Sequence, residues 1–127
     1  MNSPAQQPKT ILVIDDSPEI LTLDRILLEA EGHKVLTCLT SEEAFEALKQ
    51  ITPHLIILDF HLKEMNGNEF IEKLKELRLD IFAICPIVFH SALDHIPDSQ
   101  AIGHIAKFSD MNLFIKEVTK YLQMRQQ

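Results

Sequence analysis

The apolar run LIIL at residues 55–58 ends on an acid, Asp59, and the loop residues FHLKEMNG follow at once. An ionised carboxylate at the edge of a buried segment is costly unless something pairs with it. Two readings are open: Asp59 caps the strand, or it is held there for chemistry. The run TILVI ends in the same way, on the pair Asp15 and Asp16. The run PIVFH is followed by the hydroxyl of Ser91, and AIGHIA by the ammonium of Lys107. Carboxylates gathered at one place repel, by about 4 kcal/mol for two charges 4 Å apart at an effective dielectric near 20. Such a cluster needs protons or a cation. Magnesium fits, because it takes a few carboxylates, keeps several waters and accepts phosphate oxygens; calcium wants more protein oxygens than are on offer. A hydroxyl and an ammonium facing that cluster make a receptor for a phosphoryl group. Asp59 could then attack phosphorus as a carboxylate nucleophile.

Whether these groups meet depends on the elements that carry them. TILVID (10–15) reads as a buried strand. Ser17 then caps a helix with Pro18 at its first position and Glu19 in its first turn; Ile20, Leu23, Leu27 and Ala30 recur at helical spacing, and Gly32 stops it. KVLTCL (34–39) reads as a second strand. Thr40 and Glu43 form a T-x-x-E capping box for a helix running to about Gln50. Leu55–Leu58 is the third strand, 68–77 the third helix, and 86–90 the fourth strand, opened by Pro86. AIGHIA (101–106) is a short fifth strand. Ser109 caps a last helix whose stripe is Phe114, Ile115, Val118, Tyr121 and Leu122.

Buried strands alternating with amphipathic helices imply an α/β fold with a parallel sheet covered on both faces. In the flavodoxin-like order 2-1-3-4-5, a three-layer sandwich, strands one and three are neighbours and sites form at the carboxyl ends of the strands. Asp15, Asp16, Asp59, Ser91 and Lys107 all fall at that edge.

A chain of 127 residues is long enough for one domain with one core. The expected boundaries are a polar tail over 1–8, a domain over 9–123 and a tail over 124–127. A net charge of −7 disfavours direct contact with nucleic acid or anionic membranes. Cys38 and Cys85 match no zinc or redox spacing and read as reduced core residues. The N-terminal residues lack a signal-peptide core, and IFAICPIVF is too short to span a bilayer, so a cytoplasmic location is expected.

IDDSPE, LIILDFHLKEMNG, IVFHSA and HIAKF in this order resemble the receiver domain of bacterial two-component response regulators, over about Lys9 to Leu122. The resemblance implies that Asp59 is the phosphoacceptor. It further implies that Asp15, Asp16, Asp59 and the backbone carbonyl of His61 hold Mg2+, and that Ser91 and Lys107 contact the phosphoryl group. The donor would be a histidine kinase or a histidine phosphotransfer protein, and an unidentified output protein would read the signal. The domain would be a phosphoacceptor rather than an enzyme.

Four departures from that pattern bear on function. Phe108 replaces the usual proline after the lysine, so a trans bond is expected there. His104 stands where an aromatic residue usually swings inward, making it and Ser91 the switch candidates. His61, two residues past Asp59, is placed to overhang the phosphoryl group, and Lys63 replaces a common proline. Residues 92–106, with Pro97 and Gly103, leave little room for the family's fourth helix, which should be short, irregular or missing. The order of residues 92–103 is therefore expected to change on phosphorylation. The competing readings are a pseudo-receiver that acts as an adaptor by binding alone, and a small magnesium-dependent phosphatase using Asp59.

Overall fold

The computed structural model describes residues 8–93, 95–108 and 110–124. Its elements run β1 (Thr10–Ile14), α1 (Pro18–Ala30), β2 (Lys34–Cys38), α2 (Ser41–Leu48), β3 (Leu55–Leu58), α3 (Gly67–Leu77), α4 (Leu79–Ile84), β4 (Ile87–Ser91), β5 (Gly103–Ala106) and α5 (Met111–Leu122). The strands form one parallel sheet in the order β2-β1-β3-β4-β5. This is the flavodoxin-like sandwich expected from the sequence.

Strand alternation splits the core in two. Leu12, Ile14, Ile56, Leu58, Ile87 and Phe89 face the side packed by Ala44, Leu48, Phe70, Leu74 and Ile81, from α2, α3 and α4. Ile11, Val13, Leu55, Ile57, Val88 and Ile105 face Leu21, Leu28, Phe114, Val118 and Tyr121, from α1 and α5. Burial on both faces explains why the strands read as unbroken apolar runs.

Local signals set most boundaries. Ser17 Oγ accepts the amide of Ile20 with Pro18 at the first helical position. At α2, Thr40 Oγ1 accepts from Glu43 N at 3.1 Å, but Glu43 Oε1 turns to Leu39 N at 2.8 Å, so the expected box closes one residue early. A complete capping box joins Asn66 and Glu69 at α3, starting that helix at Gly67. The expected cap Ser109 lies outside the described residues; Asp110 caps α5, accepting from the amides of Asn112 and Leu113.

Two expectations need correcting. The buried stripe of α1 is Leu21, Asp24 and Leu28, not Ile20, Leu23, Leu27 and Ala30. Two stripes one residue apart both fit a helical period, and the acid at 24 hid the inner one. Before β4, Leu79–Ile84, which the sequence reading left unassigned, form a short helix that plugs the core with Ile81. β5 begins at Gly103 rather than at residue 101, and a Cβ on that glycine would collide with the Tyr121 side chain.

None of the described residues between β4 and β5 is helical. This connection is held by Ile96, which is buried in the core, and by Gln100, whose amide donates to Asn68 Oδ1 and whose side chain accepts from Lys75.

Candidate functional site

The pairing of Ile14 with Leu58 sets Asp15 and Asp59 side by side just past the ends of β1 and β3. Backbone bonds continue the ladder to both residues: Asp15 N donates to Cys38 O at 3.1 Å and Asp59 N to Ile14 O at 2.8 Å. Asp15 and Asp59 are buried, at 1% and 6% exposure, and Asp16 is half-buried. One carboxylate oxygen from each lies within 4.8 Å of the others.

Lys107 comes to the same place from β5. Its amide donates to Ser91 O, and its Nζ stands 2.8 Å from Asp15 Oδ2 and 3.4 Å from Asp59 Oδ1. Asp15 Oδ1 also accepts the amide of Ser17, and the His61 amide reaches Asp59 Oδ1 at 3.4 Å. Burial and the neighbouring Asp15 charge push the Asp59 carboxyl above the usual range, against the pull of Lys107 and the His61 amide. For Lys107, burial pulls downward most strongly, but its contacts with Asp15 and Asp59 outweigh it and the net direction is up. The ammonium is therefore a fixed cation between two acids.

The donor set fits a magnesium ion. It offers hard carboxylate oxygens grouped within 4.8 Å, a half-open Asp16 and a countercharge beside them. Such an ion would supply charge neutralisation for phosphoryl oxygens.

The remaining expected site residues are placed as follows. Ser91 is buried at the end of β4, with its Oγ accepting from Leu93 N at 3.0 Å. His104 is half-buried, its Nε2 3.3 Å from the Ser91 carbonyl. The His61 side chain is exposed and meets the Phe60 ring edge-on. The Lys107–Phe108 bond is trans, as expected, but Phe108 takes a left-handed φ of 63° and is 85% exposed. A bulky side chain in that region is strained.

Two features escaped sequence reasoning. Glu64, in the loop after Asp59, accepts from both the amide and hydroxyl of Ser41 at the start of α2, which holds its carboxyl below the usual range. Asp24 on α1 meets His90 on β4 beneath the site. The signal for the first was only a lone acid in a loop; for the second, an acid interrupting an apolar stripe.

Residues 11–119 match the response regulator receiver domain, and the chain belongs to that family. It is 27% identical over 119 residues to the polar-differentiation response regulator DivK of Brucella anthropi, covering 91% of this chain and 97% of DivK. It is 38% identical over 87 residues to a protein-glutamate methylesterase/protein-glutamine glutaminase of Agrobacterium fabrum, covering 67% of this chain but only 23% of that protein. Among solved structures, the chemotaxis response regulator CheY4 of Vibrio cholerae superposes with a TM-score of 0.82 at 21% identity, covering 91% of this chain and 99% of CheY4. The response regulator TrrA of Thermotoga maritima, solved in complex with Mg(2+)-BeF, gives 0.75 at 26% identity, covering 89% of this chain and 98% of TrrA. The protein is thus a receiver domain of two-component signalling. No helix among the described residues is long and apolar enough to cross a membrane.

Proposed function

We propose that this receiver is a phosphoacceptor module: Asp59 takes a phosphoryl group in a Mg2+-dependent reaction from a histidine kinase or phosphotransfer protein, and the adduct alters binding to an output partner. One observation carries the reading. Residues 15, 16, 59 and 107, remote in sequence, meet as an acid cluster with an ammonium 2.8 Å from Asp15 and 3.4 Å from Asp59. Asp59 supplies the carboxylate oxygen that acts as nucleophile. Asp15, Asp16, Asp59 and the His61 carbonyl would hold the ion, whose charge lowers repulsion between the carboxylate and the incoming phosphoryl oxygens. Lys107 donates to those oxygens, and the Ser91 hydroxyl, whose oxygen accepts the Leu93 amide, keeps its own proton to donate to them.

Movement of Ser91 toward a bound phosphoryl group supplies the switch: its Oγ accepts the Leu93 amide and its carbonyl lies 3.3 Å from His104 Nε2, so a shift of Ser91 disturbs both contacts. Incubation with a small phosphodonor should yield one acid-stable, hydroxylamine-labile adduct that needs Mg2+ and vanishes in Asp59→Asn. An adduct independent of Mg2+, or unchanged in that variant, would overturn the reading. The lack of helix among the described residues between β4 and β5 favours one alternative, an adaptor acting by binding alone. That alternative gains if no donor produces an adduct. Catalytic turnover of a phosphate monoester would instead bring forward the phosphatase reading.

A further inference from the structure

The loop that leaves Asp59 doubles back on itself before α3. His61 bridges to Asn66 in antiparallel fashion, the Leu62 amide donates to Met65 O at 3.2 Å, and the Gly67 amide donates to Phe60 O at 2.7 Å. Lys63 and Glu64 stand at the exposed tip of this hairpin. Leu62 is buried in the core, but an apolar contact is non-directional and leaves the rotation of the hairpin open. Direction comes from Glu64. Its Oε1 accepts both the Ser41 amide at 2.9 Å and the Ser41 hydroxyl at 2.7 Å.

Ser41 is the first residue of α2 and is 3% exposed. The first amides of a helix have no partner within it. At α2, Thr40 Oγ1 accepts the Glu43 amide and Glu43 Oε1 accepts that of Leu39, so neither cap serves Ser41. A carboxylate at this place also meets the positive end of the helix dipole. In the strand order β2-β1-β3, α2 follows one neighbour of β1 and the hairpin follows the other. Glu64 and Ser41 therefore join the segments on either side of the strand that ends in Asp15 and Asp16. The end of β2 is itself tied to β1, because the Asp15 amide donates to Cys38 O at 3.1 Å. Through the start of α2, the hairpin is held to the same frame that carries the acid pair.

We propose that Glu64 and Ser41 are positioning residues for the divalent cation: their paired hydrogen bonds fix the hairpin so that the His61 carbonyl is aligned with Asp15, Asp16 and Asp59 before the ion arrives. This rests on the Mg2+ site of the phosphoacceptor reading above. Groups that orient a ligand without touching the metal are worth about 10- to 100-fold in affinity, and Glu64, acting along the chain from His61, takes the lower figure.

The test reads Mg2+ dissociation constants from amide chemical shifts at fixed ionic strength, with no phosphodonor present. Glu64→Ala removes both bonds and should weaken binding about tenfold. Glu64→Gln removes the charge but keeps an acceptor oxygen, and should stay within about threefold of the wild type. Ser41→Ala keeps the charge and the amide bond, loses the hydroxyl bond and should fall between these two. Val118→Ala, a core truncation on α5, lowers stability away from the hairpin and should keep the wild-type affinity. Equal affinity in the wild type and Glu64→Ala would overturn the proposal. So would Glu64→Gln binding as weakly as Glu64→Ala, which would make Glu64 a remote charge rather than a tether, and so would an equal loss in Val118→Ala. Linkage gives a second readout, because bonds that favour the ion must be favoured by it to the same degree. Hydrogen exchange at the Ser41 amide should slow by up to about tenfold when Mg2+ is added to the wild type, and should not respond in Glu64→Ala. Exchange that ignores Mg2+ in the wild type would equally overturn the proposal, and a wild type that binds no Mg2+ would overturn both it and the phosphoacceptor reading. A wild type that binds Mg2+ with this pattern but never forms an adduct at Asp59 would count against the phosphoacceptor reading alone.

Discussion

Replacing Asp59 by Asn should stabilise the cation-free protein at neutral pH, although it removes half of a close ion pair. At an effective dielectric near 20, the 3.4 Å contact with Lys107 is worth about 5 kcal/mol of attraction. Repulsion from Asp15 within 4.8 Å costs about 3.5 kcal/mol, and half-buried Asp16 adds a screened share of the same size or less. Desolvation of the buried carboxylate comes on top, which is why the Asp59 carboxyl is pushed upward. The balance favours Asn by about 1–3 kcal/mol, or roughly 3–5 °C in Tm per kcal/mol for a chain of this size. The sign in pH follows. An acid that holds its proton more tightly when folded costs nothing below its unfolded pKa of about 3.9, and its cost grows as pH rises to the folded value. Urea unfolding of both proteins, from pH 3 to pH 8 with chelator, should therefore show a gain at neutral pH that disappears near pH 3. Mg2+ should stabilise the wild type and erase the gap. A variant less stable than wild type at neutral pH without cation would refute the electrostatic account.

Other substitutions test other parts. Lys107→Met leaves Asp15 and Asp59 facing each other unpaired and should cost about 2–4 kcal/mol in urea unfolding, with Mg2+ recovering part of it. Glu64→Gln weakens the bonds to Ser41; because the Glu64 carboxyl is held low in the fold, its loss of about 1 kcal/mol should appear above the ordinary glutamate pKa near 4.3 and fade as pH falls below it. Gly67→Ala drives a methyl into the buried Phe89 ring and should cost about 1–3 kcal/mol by denaturation, with Phe89→Leu relieving part of it. The Cys38 thiol, pushed up to about 11 by burial and by Glu43, should resist thiol reagents at pH 8 until the chain is unfolded.

The residues whose placement depends on strand ends were the legible ones. An apolar run stopping on an acid fixes where a parallel strand ends, and strand order then brings Asp15, Asp16, Asp59, Ser91 and Lys107 to one edge. Contacts that depend on the rotation of a helix were hidden. Asp24 broke the inner stripe of α1 and made the outer one look buried, so its partner His90 read as an ordinary strand residue. The helix before β4 went unassigned for a related reason: LDIFAI is short and mostly apolar, and periodicity alone cannot separate a buried turn of helix from a strand at that length. Local chemistry that joins a loop to a helix start, such as Glu64 reaching Ser41, leaves no more than a lone loop acid in the sequence.

The account stands most directly on the identity of the phosphorylated atom. Reduction of the phosphodonor-treated, Mg2+-loaded protein with borohydride, followed by peptide mass spectrometry, converts an acyl phosphate to homoserine at its own position. The conversion should fall on Asp59 and on neither Asp15 nor Asp16; conversion at either of those two, or at none of the three, would contradict the account.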